Sequence, residues 1–212
     1  MMKRCRIIPL IILLCIMTVS TLISCLKDKL DYQQNVTNAV KTMSGKYIGT
    51  MVSVTNDGKY LDPVDNIKWK VDTTGIKLKG FPLKNLAQGF NTTDDQKVLS
   101  ALLAADTTSV NLEMLIGNSN LGGQIISFFT RPMATFNLTI DGTKRTYVID
   151  GVETKYEMSG GIYIMQSQSM NFYFRINRMR EMLQNQNGTS FQKVKGFKYG
   201  MRFNLTSKSV TK

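Results

Sequence analysis

The chain has 212 residues, 27 basic against 15 acidic side chains, and no histidine. The lack of histidine excludes Ser-His-Asp and Cys-His nucleophilic sites and the usual zinc sites. The length is sufficient for one domain with a substantial core, and the net charge of +12 favours anionic partners. A solvated basic surface without a specific partner is the simpler explanation of that charge.

A short apolar segment follows a positively charged start. Lys3, Arg4 and Arg6 precede the uncharged run 7–19. This arrangement is typical of a secretory signal, and the run is shorter than the roughly 20 residues that span a membrane. It ends in Leu-Ile-Ser-Cys at residues 22–25, which resembles the lipobox of bacterial lipoproteins.

The lipobox resemblance implies that residues 1–24 are removed and that Cys25 is lipidated, because the diacylglyceryl group is attached to a thiol. We therefore expect a lipid-anchored protein of the cell envelope. The outer membrane is favoured, since Leu26 stands where an aspartate retains some lipoproteins at the inner membrane. Cys5 and Cys15 leave with the signal, so no disulfide framework and no thiolate metal cluster is expected.

Residues 31–43 carry apolar side chains at helical spacing. Val36, Val40 and Met43 recur at i, i+4 and i+7, and Gly45 ends the pattern. The sequence thus predicts a tether and short amphipathic helix over 25–44, between the lipid and a single β-rich domain at 45–212.

From residue 45 onward, apolar and polar side chains alternate, which predicts strands. The alternating segments are 47–54, 67–72, 76–79, 110–116, 136–140, 144–149, 162–176 and 197–205. Thr73-Thr74-Gly75 indicates a hairpin turn, and the Gly122-Gly123 and Gly160-Gly161 pairs indicate further turns.

Helices are predicted at 93–105, where two aspartates occupy the first turn, and at 178–186, before Gly188. Because the alternation is one-sided over eight or more segments, we expect antiparallel sheet. The predicted fold is mainly β, an antiparallel β-sandwich or a small barrel with two or three short helices.

The segment 44–50, with its Tyr-x-Gly strand start, resembles small envelope lipoproteins of the Bacteroidetes. Residues 67–71 followed by 76–82 are similar to one such family of unknown function, and the resemblance covers residues 1–110. It implies a compact β-rich domain and carries no functional residues over. Calycin-like barrel lipoproteins are a second resemblance, although a helix at 93–105 would interrupt their meander.

Two Asp-Thr-Thr tripeptides, at 72–74 and 106–108, resemble the O-glycosylation signal of that phylum. The resemblance implies glycans on Thr73 and Thr107. A turn and a helix C-terminus explain the same residues without modification.

Pairs of carboxylates are the remaining route to catalysis. The pairs are Asp62 with Asp65, Asp94 with Asp95, and Glu153 with Glu157. None has the aromatic surroundings of a sugar cleft, so an enzyme is not expected. Calcium binding over 57–65 is conceivable, but turn chemistry explains these residues better. We expect no cofactor and no metal.

The main hypothesis is therefore a non-catalytic envelope module that binds a polyanionic glycan or an envelope protein and no nucleic acid. The alternative is a calycin-like carrier of a small apolar ligand. Its site would be lined by Trp69, Phe136, Phe172, Phe174 and Phe203. A solid core built from these same side chains is the simpler interpretation.

Overall fold

The computed structural model describes residues 33–91, 93–117, 124–151, 159–186 and 188–211. The chain divides into a unit that ends at Ala39 and a unit formed by Val40–Lys212. Residues 33–43 form a helix, α1. Within the described ranges, no helix has the length and apolar character needed to cross a membrane.

Strands dominate the second unit, so the prediction of a mainly β fold is confirmed. The elements after α1 are β1 (Gly45–Val54), β2 (Val64–Asp72), β3 (Gly75–Pro82), a 3-10 helix (Leu83–Gly89), α2 (Gln96–Leu103), β4 (Thr107–Ile116), β5 (Ile125–Ile140), β6 (Thr143–Asp150), β7 (Gly160–Ile164), β8 (Ser169–Ile176), β9 (Arg178–Asn185), β10 (Gly188–Lys193) and β11 (Met201–Thr211).

Eight strands close into an antiparallel barrel, so the barrel is the correct one of the two predicted architectures. Their order around the ring is β1, β2, β3, β4, β5, β7, β8 and β11, and β11 pairs again with β1. The connection through α2 leaves the meander intact, because β3 and β4 still pair directly. The expected interruption of a calycin-like meander is therefore wrong.

The long strand β5 pairs with three other strands of one continuous sheet. Its residues 128–133 pair with β4 and its residues 125–129 with β7, which closes the barrel. Its residues 133–140 pair with β6, and the sheet continues through β9 to β10. We call β6, β9 and β10 the extension. Helix α2 contacts β5 and the 3-10 helix, and its Leu102 is fully buried.

The barrel interior is filled with aromatic side chains. The predicted inward face of β8 is confirmed, since Met170, Phe172, Phe174 and Ile176 are all buried. Phe174 stacks on Phe203 with ring centroids 5.2 Å apart. Burial of a side chain of this size contributes about 1.5–3 kcal/mol, so this cluster is a main source of stability.

Three predicted elements differ from the structure in type or in bounds. The predicted helix at 178–186 is strand β9 (Arg178–Asn185), because pairing with β6 on one edge and β10 on the other outweighs local helix propensity. The segment 162–176 is divided by a turn at 165–168 into β7 and β8. The final strand starts at Met201, whereas Phe197 forms an isolated bridge with Phe90.

Candidate binding groove on the barrel wall

A groove of about 460 Å³ lies on the outer wall of the barrel, across β5, β7, β8 and β11. Strand register places Phe129, Gly160, Tyr173 and Asn204 in one row across these four strands. The side chains of Phe129 and Tyr173 point outward and are 37% and 40% exposed. Because neighbouring strands lie about 4.8 Å apart, the two aromatic residues are separated by about 10 Å at the backbone.

The floor between these two aromatic side chains is backbone. A Cβ on Gly160 would lie 2.5 Å from the Phe128 carbonyl oxygen, and a Cβ on Gly161 would lie 2.3 Å from the Asn171 carbonyl oxygen. Glycine is therefore required at both positions by the close approach of β7 to its neighbours. The prediction that this glycine pair forms a turn is wrong, since it opens β7.

Buried hydrogen bonds fix the two sides of the groove. The Ser159 carbonyl oxygen accepts from the Thr130 backbone N–H at 3.0 Å, and the Ser159 hydroxyl accepts from the Arg175 N–H at 3.1 Å. The Thr130 hydroxyl donates to the Tyr173 carbonyl oxygen at 3.2 Å. Because β5 and β8 are linked through side chains that are almost fully buried, the groove is pre-formed.

The polar groups of the groove lie beside its aromatic rings. Arg202 does not line the groove, but its guanidinium carbon lies 5.9 Å from the centre of the Tyr173 ring, a cation–π contact. The Asn171 Oδ1 and the Arg202 Nε are buried, and neither has a hydrogen-bond partner among the described residues. The groove thus combines an apolar surface with a few polar groups, which is typical of ligand sites.

The five residues proposed from sequence as a carrier lining do not form one site. Trp69 contacts Phe172, with ring centroids 5.6 Å apart, inside the barrel, where Phe174 and Phe203 also lie. Phe136 instead stacks on Tyr147 of the extension, at 6.2 Å. Four of the five thus lie inside the barrel, as the contacting pairs Trp69–Phe172 and Phe174–Phe203.

The two predicted modification sites are exposed and distant in the fold. Thr73 lies in the turn between β2 and β3, and Thr107 is the first residue of β4. In the first turn, the Thr74 hydroxyl and backbone N–H both donate to Asp72. These bonds, with Lys70, lower the pKa of Asp72 to about 2. Glycosylation of either threonine stays a prediction.

Asp65 and Asp94, two of the described carboxylates that sequence analysis considered, are engaged in contacts within the protein. Asp65 accepts from Lys208 at 2.6 Å and from Thr50 at 2.7 Å, and the Lys208 bond is the main cause of its lowered pKa. Asp94 accepts from Asn91 at 3.0 Å, which lowers its pKa in the same way.

Several predicted residues lie outside the part of the chain that the structure describes. These are Cys25 with the predicted signal at 1–24, the predicted turn at 122–123, Glu153 and Glu157. Among the residues that are described, no group of three or more cysteine, aspartate or glutamate side chains is arranged to hold a metal ion.

Sequence analysis missed Phe129 and Tyr173. The row that joins them depends on pairing between strands far apart in the chain, which a local pattern does not show. One signal was available: Phe128-Phe129 and Phe172-Tyr173-Phe174 are runs of consecutive aromatic residues in strands. Since successive side chains in a strand point to opposite faces, at least one residue of each run must face outward.

Comparison with known proteins identifies a family but no activity. A family described as a domain of unknown function, DUF4840, matches residues 42–181. No curated protein and no solved structure matches the chain. The expected membership of a family of unknown function is thereby confirmed, although the match extends well beyond residue 110. The lipoprotein character and the bacterial group stay predictions.

Proposed function

Because the chain belongs to the DUF4840 family, whose description assigns no activity, we propose a function from the geometry alone: a non-catalytic module that binds a glycan in the outer groove of the barrel. The observation that carries the proposal is the pair of exposed aromatic side chains, Phe129 and Tyr173, on either side of the glycine floor. As part of the same proposal, the module acts outside the cytoplasm, anchored by lipid at Cys25.

The chemistry of the groove suits a sugar. A sugar ring has faces that carry C–H bonds and an edge that carries hydroxyl groups. Aromatic rings such as Tyr173 can pack against the C–H faces, since they offer a large and rigid apolar surface. The amides of Asn171 and Asn204 supply both donors and acceptors for the hydroxyl groups. The unpartnered Asn171 Oδ1 is available as such an acceptor.

The lining of the groove favours binding over hydrolysis. Glycoside hydrolysis requires two carboxyl groups that flank the scissile bond. The described residues that line the groove include no aspartate or glutamate. The apolar surface and the amide groups of the lining support recognition without a general acid or a nucleophile.

Glycan arrays with the full chain test this proposal. The comparison is between Tyr173→Ala, in the groove, and Tyr199→Ala, a control tyrosine that is 47% exposed and does not line it. We expect Tyr173→Ala to weaken binding about tenfold, which corresponds to about 1.4 kcal/mol. Phe129→Ala should have a similar effect, and Tyr199→Ala should bind like the unmodified chain.

Two results would overturn the assignment. The first is an array on which the full chain retains no glycan, neutral or acidic. The second is equal loss of binding in Tyr173→Ala and Tyr199→Ala, which would place the glycan elsewhere. Mass measurement of the protein from its native membrane separately tests lipid at Cys25, and an unmodified thiol would contradict the proposed anchor.

A further inference from the structure

A second cleft, of about 410 Å³, lies between the start of α2 and the extension strands β6 and β9. It shares no lining residue with the outer groove. We propose that this cleft binds a small, uncharged, polyhydroxylated ligand such as a single sugar unit. The residues that carry the proposal are Asp95, Arg145, Tyr147 and Glu181, which we call the polar cleft.

Tyr147 is the central group of the polar cleft. Its side chain is fully buried, and its ring is held by stacking on Phe136. Its hydroxyl makes no hydrogen bond of good geometry with the described residues, although the Arg145 side chain lies close enough to act on it. A buried hydroxyl without a partner is unfavourable, so such a group in a folded protein requires an explanation. A ligand hydroxyl in the cleft would supply the missing donor and acceptor.

Two charged groups lie next to this phenol. Glu181 is the direct cross-strand neighbour of Tyr147 on β9. Arg145 lies two residues before Tyr147 on β6, and its Nη1 is 3.4 Å from the Glu181 Oε1. This contact is long for a charged hydrogen bond, and a guanidinium group carries five N–H donors, so the pair retains capacity for a further partner. Carboxylate, guanidinium and phenol therefore converge on one place.

Four of the five charged side chains that line the cleft are paired with one another. Arg145 faces Glu181, and Lys97 contacts Asp141 at 2.5 Å. The fifth, Asp95, accepts from the Gly196 N–H at 2.7 Å through its Oδ2. An anionic ligand would find no uncompensated positive charge here, whereas an apolar ligand would leave buried polar groups without partners. An uncharged ligand that is rich in hydroxyl groups fits both conditions.

The protonation state of Tyr147 also suits this role. Burial raises the pKa of Tyr147 to about 12, and the Glu181 carboxylate acts in the same direction, whereas Arg145 opposes the shift. The phenol is therefore neutral near pH 7 and keeps its O–H to donate. Val98 and Ile140 add an apolar surface to the lining, against which the C–H face of a sugar can pack.

The Tyr147→Phe variant of the full chain tests the proposal, because it removes one oxygen and keeps the ring. The probes are free glucose, galactose and N-acetylglucosamine, with glucuronate as the acidic counterpart, and binding is measured by saturation-transfer NMR and calorimetry. We expect millimolar binding of at least one neutral sugar, weaker binding of its charged counterpart, and at least a tenfold loss in Tyr147→Phe.

The melting temperature distinguishes a binding role from a structural one. Without ligand, Tyr147→Phe should melt at the same temperature as the unmodified chain or about 2–4 °C higher, because an unpartnered buried hydroxyl is lost. Tyr163→Phe is the matched control, since Tyr163 is equally buried but lies in β7 and does not line the cleft. It should bind sugars normally.

Three results would overturn the proposal. The first is the absence of binding of any neutral sugar to the unmodified chain. The second is sugar binding in Tyr147→Phe as strong as in the unmodified chain, which would leave the hydroxyl without a role. The third is a clear fall in the melting temperature of Tyr147→Phe. Gln192→Ala, an exposed change in the lining, should weaken binding without any change in melting, and unaltered affinity there would also count against the site.

Discussion

The contact that joins β6 to β9 permits a quantitative prediction. The side chain of Asp150, at the end of β6, is only 10% exposed. Its Oδ1 accepts from the Arg178 Nε at 2.5 Å, and its Oδ2 accepts from the Arg180 Nη2. We expect Asp150→Ala to lower the free energy of unfolding by about 3 kcal/mol, the lower end of the range for breaking a buried ion pair.

This magnitude follows from the exposure of the three side chains. A hydrogen bond to a charged group contributes about 1.5–3 kcal/mol, and Asp150 accepts two of them. The arginines are 38% and 26% exposed, so water partly replaces the lost carboxylate. Without Asp150, the two positive side chains also lie on the same face of β9 with no shared counter-charge.

Urea unfolding followed by circular dichroism measures the effect. With a slope of about 2–3 kcal/mol per molar urea, the midpoint should fall by about 1–1.5 M. Lys97→Ala is the control, because the Asp141–Lys97 contact has side chains that are 60% and 70% exposed and should contribute less than about 1 kcal/mol. Equal shifts in the two variants would refute the reasoning about burial.

Two further predictions concern α2 and the turn before β3. Leu102→Ala should destabilise the fold by about 2–4 kcal/mol in chemical unfolding, whereas Leu103→Ala, at a 57% exposed position, should change stability by less than about 0.5 kcal/mol. Asp72→Asn should lower stability by less than about 1 kcal/mol at neutral pH. Because the folded pKa of Asp72 is depressed from 3.8 to about 2, its stabilisation is present above pH 4 and is lost as the pH falls through 2. A difference between Asp72→Asn and the unmodified chain that is as large at pH 2 as at pH 7 would contradict this account.

The alternation of apolar and polar side chains correctly predicted strands that pack against the core with one face only. In β8, the face with Phe172 and Phe174 is visible in the sequence because every second side chain is apolar and buried. The hairpin of β2 and β3 is equally local, since its turn residues directly join the two strands. These elements need no knowledge of distant partners.

Other elements could not be predicted because their structure depends on distant partners. Strand β9 contains no β-branched residue, and its composition favours a helix. It is extended because β6 and β10 pair with its two edges. The groove depends on the pairing of Phe129 with Gly160, which determines where β5 and β7 close the barrel. The polar cleft likewise places Tyr147 beside Glu181 across a separation of 34 residues.

The pairing of β1 with β11 has a consequence for how the protein acquires its structure. Lys46 is opposite Thr211, so the first strand of the ring cannot pair on this edge before the final strand is present. During synthesis, β1 through β8 can form hairpins, but the ring remains open until residues near 211 have emerged. Folding is therefore expected to be slow for a domain of this size, because the pairing that closes the ring joins residues far apart in the sequence.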